Sequence, residues 1–222
     1  MDLFEVSDVY LPELFRALDL IGIMLNGVLG GAVAREYKMD IVGFGSLAIV
    51  SALGGGMLRD MLLQVGPPFA LSDPWYIPTA VVASAVAWMI PIGGRRWERY
   101  VSYILDGLVI GVWAATGTVK TLASGYSWPP ALVLGVMTAV GGSMLRDIMV
   151  GRVPAIFGGD HLYATPALLA SVVALGFFHL GLSNLGMIVA AIIGLGFFLL
   201  ARWRNWQLPQ GGLTVIRLRD DA

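Results

Sequence analysis

The stretch Ala52–Leu63, "ALGGGMLRDMLL", recurs as Ala139–Val150, "AVGGSMLRDIMV". The offset of 87 positions holds without a gap from residue 19 to residue 89. It pairs Asp19 with Asp106, Gly30 with Gly117, Arg59 with Arg146, Asp60 with Asp147, Pro67 with Pro154, Asp73 with Asp160 and Tyr76 with Tyr163. Nineteen of these 71 positions are identical. Chance in so apolar a composition gives about five or six, so the chain carries an internal duplication. Each copy holds three long apolar segments. An odd number of crossings brings the second copy into the bilayer from the opposite side, and inverted repeats of this kind build transporters and channels.

Composition agrees. The 222 residues are 57% hydrophobic and 13% charged, with 29 glycines. A soluble domain carries about 25% charged residues, so the chain reads as an all-α polytopic membrane protein. The net charge of −1 and the lack of a basic patch exclude nucleic acid as a partner. Cysteine is absent, which removes disulfides and thiolate metal sites. The N-terminus carries Asp2, Glu5, Asp8 and Glu13 before its first basic residue, Arg16, unlike a cleavable signal peptide. It reads instead as an interfacial segment leading into the first span.

A span needs about 20 apolar residues. Seven segments qualify: Leu14–Ala34, Ile41–Leu63, Tyr76–Ile92, Tyr103–Leu122, Pro130–Val150, Tyr163–His179 and Asn184–Arg202. The whole of 1–222 is then one membrane domain. Repeat one covers 14–93, repeat two 101–180, the unmatched seventh span 184–203 and a tail 204–222. Lys and Arg set the orientation. Ten lie in loops on the C-terminal side (Arg35, Lys38, Arg95, Arg96, Arg99, Arg152, Arg202, Arg204, Arg217 and Arg219), and only Arg16 lies on the other. The C-terminus is expected to be cytoplasmic and the N-terminus outside.

Three features of each repeat are costly in lipid. Gly54, Gly55 and Gly56 interrupt the second span, and Gly141, Gly142 and Ser143 the fifth. Several glycines together invite a kink or an unwound turn, whose free carbonyls would face a cation path. Close helix packing is the alternative, but two matched clusters favour the break. The second feature is the pairs Arg59–Asp60 and Arg146–Asp147. Adjacent residues do not face each other on a helix, so each Arg is expected to find its partner elsewhere, in Asp19, Asp106 or a freed carbonyl. The pairs read equally as fold clasps or as pore and gate elements. The third feature is Asp19 and Asp106, which read as acidic mouths that concentrate cations or as interfacial carboxylates. Lys120 joins them, matched by Val33 in repeat one. It reads as a blocking or voltage-sensing charge or as a snorkelling side chain. His161 and His179 lack company for a metal site. No nucleophile–base pair or phosphate loop appears, so no enzyme activity and no cofactor is expected.

The two "GG(G/S)MLRD" motifs, each in the middle span of a three-span repeat followed by a seventh span, make the chain resemble a prokaryotic member of the trimeric intracellular cation (TRIC) channel family. The shared domain of that family is also labelled a glycine transporter. The resemblance runs from about Ala17 to Trp203. It implies a 3+3+1 fold in the prokaryotic inner (plasma) membrane, a homotrimer, and a potassium-permeable pore inside each protomer, with sodium a second permeant ion. It also implies that Gly54, Gly55, Gly56, Gly141, Gly142 and Ser143 flank the pore and that Lys120 takes part in gating. Ser143 departs from the full triplet. Ser124, one turn beyond Lys120, stands where animal members carry a second basic residue. The alternative function is a secondary transporter of a small solute such as glycine.

Overall fold

Asp40 opens the second helix: its carboxylate accepts the Gly43 N–H at 2.7 Å, which satisfies one of the free N–H groups of a first turn. In this computed structural model, which describes residues 13–90, 96–157 and 162–207, the described chain forms eight helices. They are α1 (Glu13–Glu36), α2 (Ile41–Leu63), α3 (Phe69–Ser72), α4 (Tyr76–Met89), α5 (Arg96–Ala123), α6 (Trp128–Met149), α7 (Ala164–His179) and α8 (Ser183–Trp203). Five are long and apolar enough to cross a bilayer: α1, α2, α5, α6 and α8. The helices α4 and α7 are apolar but shorter, with 14 and 16 residues. The fold is an all-α seven-helix membrane bundle, an inverted 3+3 repeat with a seventh helix. The expected N-terminal interfacial segment and most of the tail lie outside the described residues.

Packing repeats with the sequence. Contacts of α1 with α2 and α4 are mirrored by those of α5 with α6 and α7. The seams α2–α6 and α1–α5 join the halves, and α8 packs on α5 and α7. Small residues allow these approaches. Gly111 lies against the Ala191 backbone and close to Gly194, bringing α5 onto α8, and Gly22 lies against the Trp113 indole.

Several boundaries differ from the sequence reading. The third span ends at Met89, short of the expected Ile92. Ile90 is extended (φ −106°, ψ 108°) because Pro91 follows it, and a residue before proline disfavours the helical region. The fourth helix starts at Arg96 rather than Tyr103, since a polar first turn lengthens a helix without adding hydropathy. The sixth element starts at Trp128, with proline at its first positions, where no intrahelical N–H is needed. The loop after α2 also contains a four-residue helix, α3, that no sequence periodicity marks.

The larger correction concerns the glycine clusters. Both α2 and α6 run as uninterrupted α-helices through Gly54-Gly55-Gly56 and Gly141-Gly142-Ser143, so the expected unwound turns are not formed. The glycines serve contact instead. A methyl on Gly55 would strike the Thr138 carbonyl, and one on Gly142 would strike the Ser51 carbonyl and sit 2.5 Å from Asn26 Nδ2. A methyl on Gly141 would be 3.1 Å from Gly55 Cα. Close backbone approach outweighs the helix propensity cost of about 1 kcal/mol per glycine.

Candidate functional site

Two charged clusters sit at opposite ends of the α2–α6 seam. The first lies where α1 begins and α2 and α5 end. Arg59 is fully buried, and Asp19, Asp60 and Lys120 are 2%, 4% and 5% exposed. Arg59 Nε donates to Asp60 Oδ1 at 2.7 Å, and Nη2 reaches Asp19 Oδ2 at 3.4 Å. Lys120 Nζ donates to the same Asp60 oxygen at 2.7 Å and rests 3.2 Å above the centroid of the Phe69 ring. The Phe69 N–H donates to Asp60 Oδ2 at 2.9 Å, and the Tyr76 hydroxyl donates to Asp19 Oδ2 at 2.8 Å. Two carboxylates thus face two cations, each held by charge-assisted hydrogen bonds, as buried charges require. The adjoining cavity is about 10 Å³, enough for about one water.

The second cluster lies at the other face, where α5 begins and α6 ends. Arg146 Nε donates to Asp147 Oδ1 at 3.1 Å. The Tyr163 hydroxyl donates to Asp106 Oδ1 at 2.8 Å and lies 3.2 Å from Ser143 Oγ, whose own proton goes to the Val140 carbonyl at 2.9 Å. The Ala155 N–H approaches Asp147 Oδ2 at 3.4 Å. This cluster opens on a vestibule of about 500 Å³, lined also by Arg152, Phe198 and Arg202. Arg152 is held at the rim by Glu36 at 2.6 Å and the Tyr37 hydroxyl at 2.8 Å.

These contacts correct two expectations. Each Arg does pair with the Asp next to it in sequence. The rule for adjacent residues concerns the directions of their Cβ atoms, whereas the long Arg side chain bends back to a short neighbour inside one pocket. Arg59 additionally finds Asp19, as expected. The structure places Lys120 and Asp19 in the interior, so the snorkelling and interfacial readings fail. Lys120 is clasped by an acid from the other repeat, 60 positions away. Asp106 is half-buried and borders the vestibule.

Asn26, Ser51 and Arg202 join these sites without belonging to a repeated motif. Asn26 Nδ2 donates to the Ser51 carbonyl at 2.6 Å while Ser51 Oγ donates to the Asn26 carbonyl at 3.1 Å, a buried clasp between α1 and α2 beside Gly142. A lone amide in an apolar span was the available signal. Arg202, which in the sequence marks only orientation, lines the vestibule. Outside the spans, Asp73 binds Arg16 at 2.6 Å and accepts the Trp75 N–H at 2.9 Å. Burial pushes the Asp73 carboxyl up, but these two partners outweigh it and hold it below the usual carboxylate range.

Known proteins share this fold. A family model described as "Glycine transporter" matches twice, over residues 16–91 and 103–179. The chain is 30% identical over 198 residues to the UPF0126 inner membrane protein YadS of Escherichia coli, covering 86% of this chain and 93% of that one. Its structure is similar to one solved in work on conductance through TRIC cation channels (30% identity, TM-score 0.77, 90% and 98% of the two chains). It is also similar to the trimeric intracellular cation channel orthologue of Rhodobacter sphaeroides (27% identity, TM-score 0.80, 87% and 100% of the chains). With a doubled domain, a shared inverted fold and both MLRD segments built into buried charge clusters, the chain belongs to the glycine transporter-domain family that includes the TRIC channels.

Proposed function

We propose that the protein is a monovalent cation channel, permeable to potassium, with a path inside each protomer along the α2–α6 seam. One observation carries this reading: two like-built acid–base clusters cap opposite ends of a single glycine-lined seam, one shut and one opening on a vestibule of about 500 Å³. Carboxylates at both ends favour cations, and the seam between them is tight where Gly55 meets Thr138 and Gly142 meets Ser51. The conformation is accordingly a closed one, and conduction requires α2 and α6 to part. The similarity to TRIC cation channels supports the same reading, a homotrimeric assembly, and placement in the bacterial plasma membrane. The basic-residue count supports a cytoplasmic vestibule.

Purified protein in planar bilayers tests this. Discrete unitary steps are expected, reversing near the potassium potential in a KCl gradient. Because the chain has no cysteine, single cysteines at Gly56 and Ser143 can be modified with a charged thiol reagent, and both modifications are expected to reduce the current. Saturable solute uptake without unitary steps would replace the channel with a carrier.

A further inference from the structure

The geometry points to Arg202 as the charge that sets cation access to the Asp106–Asp147 vestibule, the functional counterpart of Lys120 at the opposite end of the seam. This rests on the channel reading above. Each repeat supplies its cluster with two aspartates, one arginine and one tyrosine, a net charge of −1. In the first cluster Lys120 balances that charge, bound to Asp60 and seated on the face of Phe69. The second cluster inherits neither part of that device. At the 87-residue offset Val33 stands for Lys120 and Ile156 for Phe69.

Arg202 supplies both from outside the repeat. It lies in the last turn of α8, the helix without a counterpart. Its guanidinium carbon sits 3.3 Å from the centroid of Tyr103, the same cation-on-ring seat that Lys120 takes on Phe69. It lines the vestibule beside Asp106 and Asp147, yet makes no ion pair among the described residues. Arg152, the other basic residue of the rim, is held by Glu36. Arg202 also borders a lateral groove of about 550 Å³ with Tyr100, Leu199 and Trp203, so its side chain has space on both sides. Seated on Tyr103, it pairs with neither aspartate and leaves the second cluster open to a monovalent cation. Turned onto the two aspartates, it reproduces the balanced, shut state of the first cluster.

The test compares Arg202→Gln and Arg202→Lys in the purified full chain. Apparent potassium affinity is read from thermal stabilisation by K⁺ against choline at constant ionic strength, a readout that needs no current. Arg202→Gln is expected to tighten K⁺ binding about three- to tenfold, the Coulomb effect of one unit charge several ångströms away in a partly hydrated site. Arg202→Lys is expected to restore the original affinity. In bilayers, Arg202→Gln should raise the current entering from the vestibule side more than the current entering from the other. An affinity unchanged in Arg202→Gln, or changed alike by both variants, overturns the proposal. A charge-dependent affinity shift without unitary currents retains the role of Arg202 and removes the channel.

Discussion

Two neighbours in one glycine triplet should respond oppositely to the same methyl group. At Gly55 the added carbon would meet the Thr138 carbonyl and lie 3.3 Å from the Gly142 nitrogen. Both belong to the backbone of α6, which cannot rotate away as a side chain can. A carbon–oxygen contact settles at about 3.3–3.6 Å, so α2 and α6 must separate by roughly 1 Å, and such overpacking costs about 1–3 kcal/mol. At Gly56 the nearest atom is Arg59 Nη2 at 3.7 Å, an ordinary contact. There the gain in helix propensity, about 1 kcal/mol, is unopposed. Gly56→Ala is therefore expected to be neutral or stabilising, and Gly55→Ala to lie about 1–3 kcal/mol below it. Gly142→Ala should behave like Gly55→Ala. Gly141→Ala, 3.1 Å from Gly55 Cα and Leu58 Cδ1, should fall between. Reversible denaturation in mixed micelles measures the series. Equal effects at Gly55 and Gly56 would refute close packing as the reason for the triplet and restore an unwound turn.

Asp60→Asn removes the acid shared by Arg59 and Lys120 and leaves Asp19 alone against two buried cations. The expected loss is about 3–5 kcal/mol in the same denaturation assay, with partial recovery on adding Lys120→Met. Tyr76→Phe strips a buried carboxylate of a 2.8 Å donor and should cost about 1–3 kcal/mol. Tyr163→Phe should cost less, because water in the vestibule can replace its hydroxyl at Asp106; melting curves of the two variants decide. The Arg16–Asp73 link depends on pH. The depressed Asp73 carboxyl binds its proton less tightly folded than unfolded, so the link stabilises above the unfolded value of about 3.9 and is lost as pH falls through the lower folded value. A double-mutant cycle of Arg16→Ala and Asp73→Ala across pH should show coupling at neutral pH that vanishes in acid.

Much of the fold was legible in the sequence because its signals are local or periodic. The sequence places α2 at Ile41–Leu63, its observed limits, since Asp40 caps one end and Gln64, with φ 51°, leaves the helix at the other. The repeat offset identified the matching residues Asp19, Arg59, Asp60 and Tyr76 and their counterparts. It did not indicate how they connect. The clasp of Lys120 on Asp60 joins different repeats, and the seat of Arg202 on Tyr103 joins α5 to the unmatched α8, so neither follows from the offset. The glycines misled for another reason. Propensity scales describe an isolated helix, while Gly55 and Gly142 answer to the backbone of a partner helix. The short α3 is illegible because a four-residue helix, Phe69–Ser72, leaves no periodicity to read.

The lengths of α4 and α7 have a consequence for the surrounding lipid. At 1.5 Å per residue, 14 and 16 residues span only about 21 and 24 Å, against a hydrocarbon layer of about 30 Å. Acyl chains beside these two helices must compress or splay, at fractions of a kcal/mol per Å of mismatch. The penalty falls on both leaflets, since the two short helices are inverted relative to each other. Bilayers of shorter-chain phospholipids should therefore fit this protein better than thick, sterol-stiffened ones, and membrane thickness becomes a variable that the fold can feel.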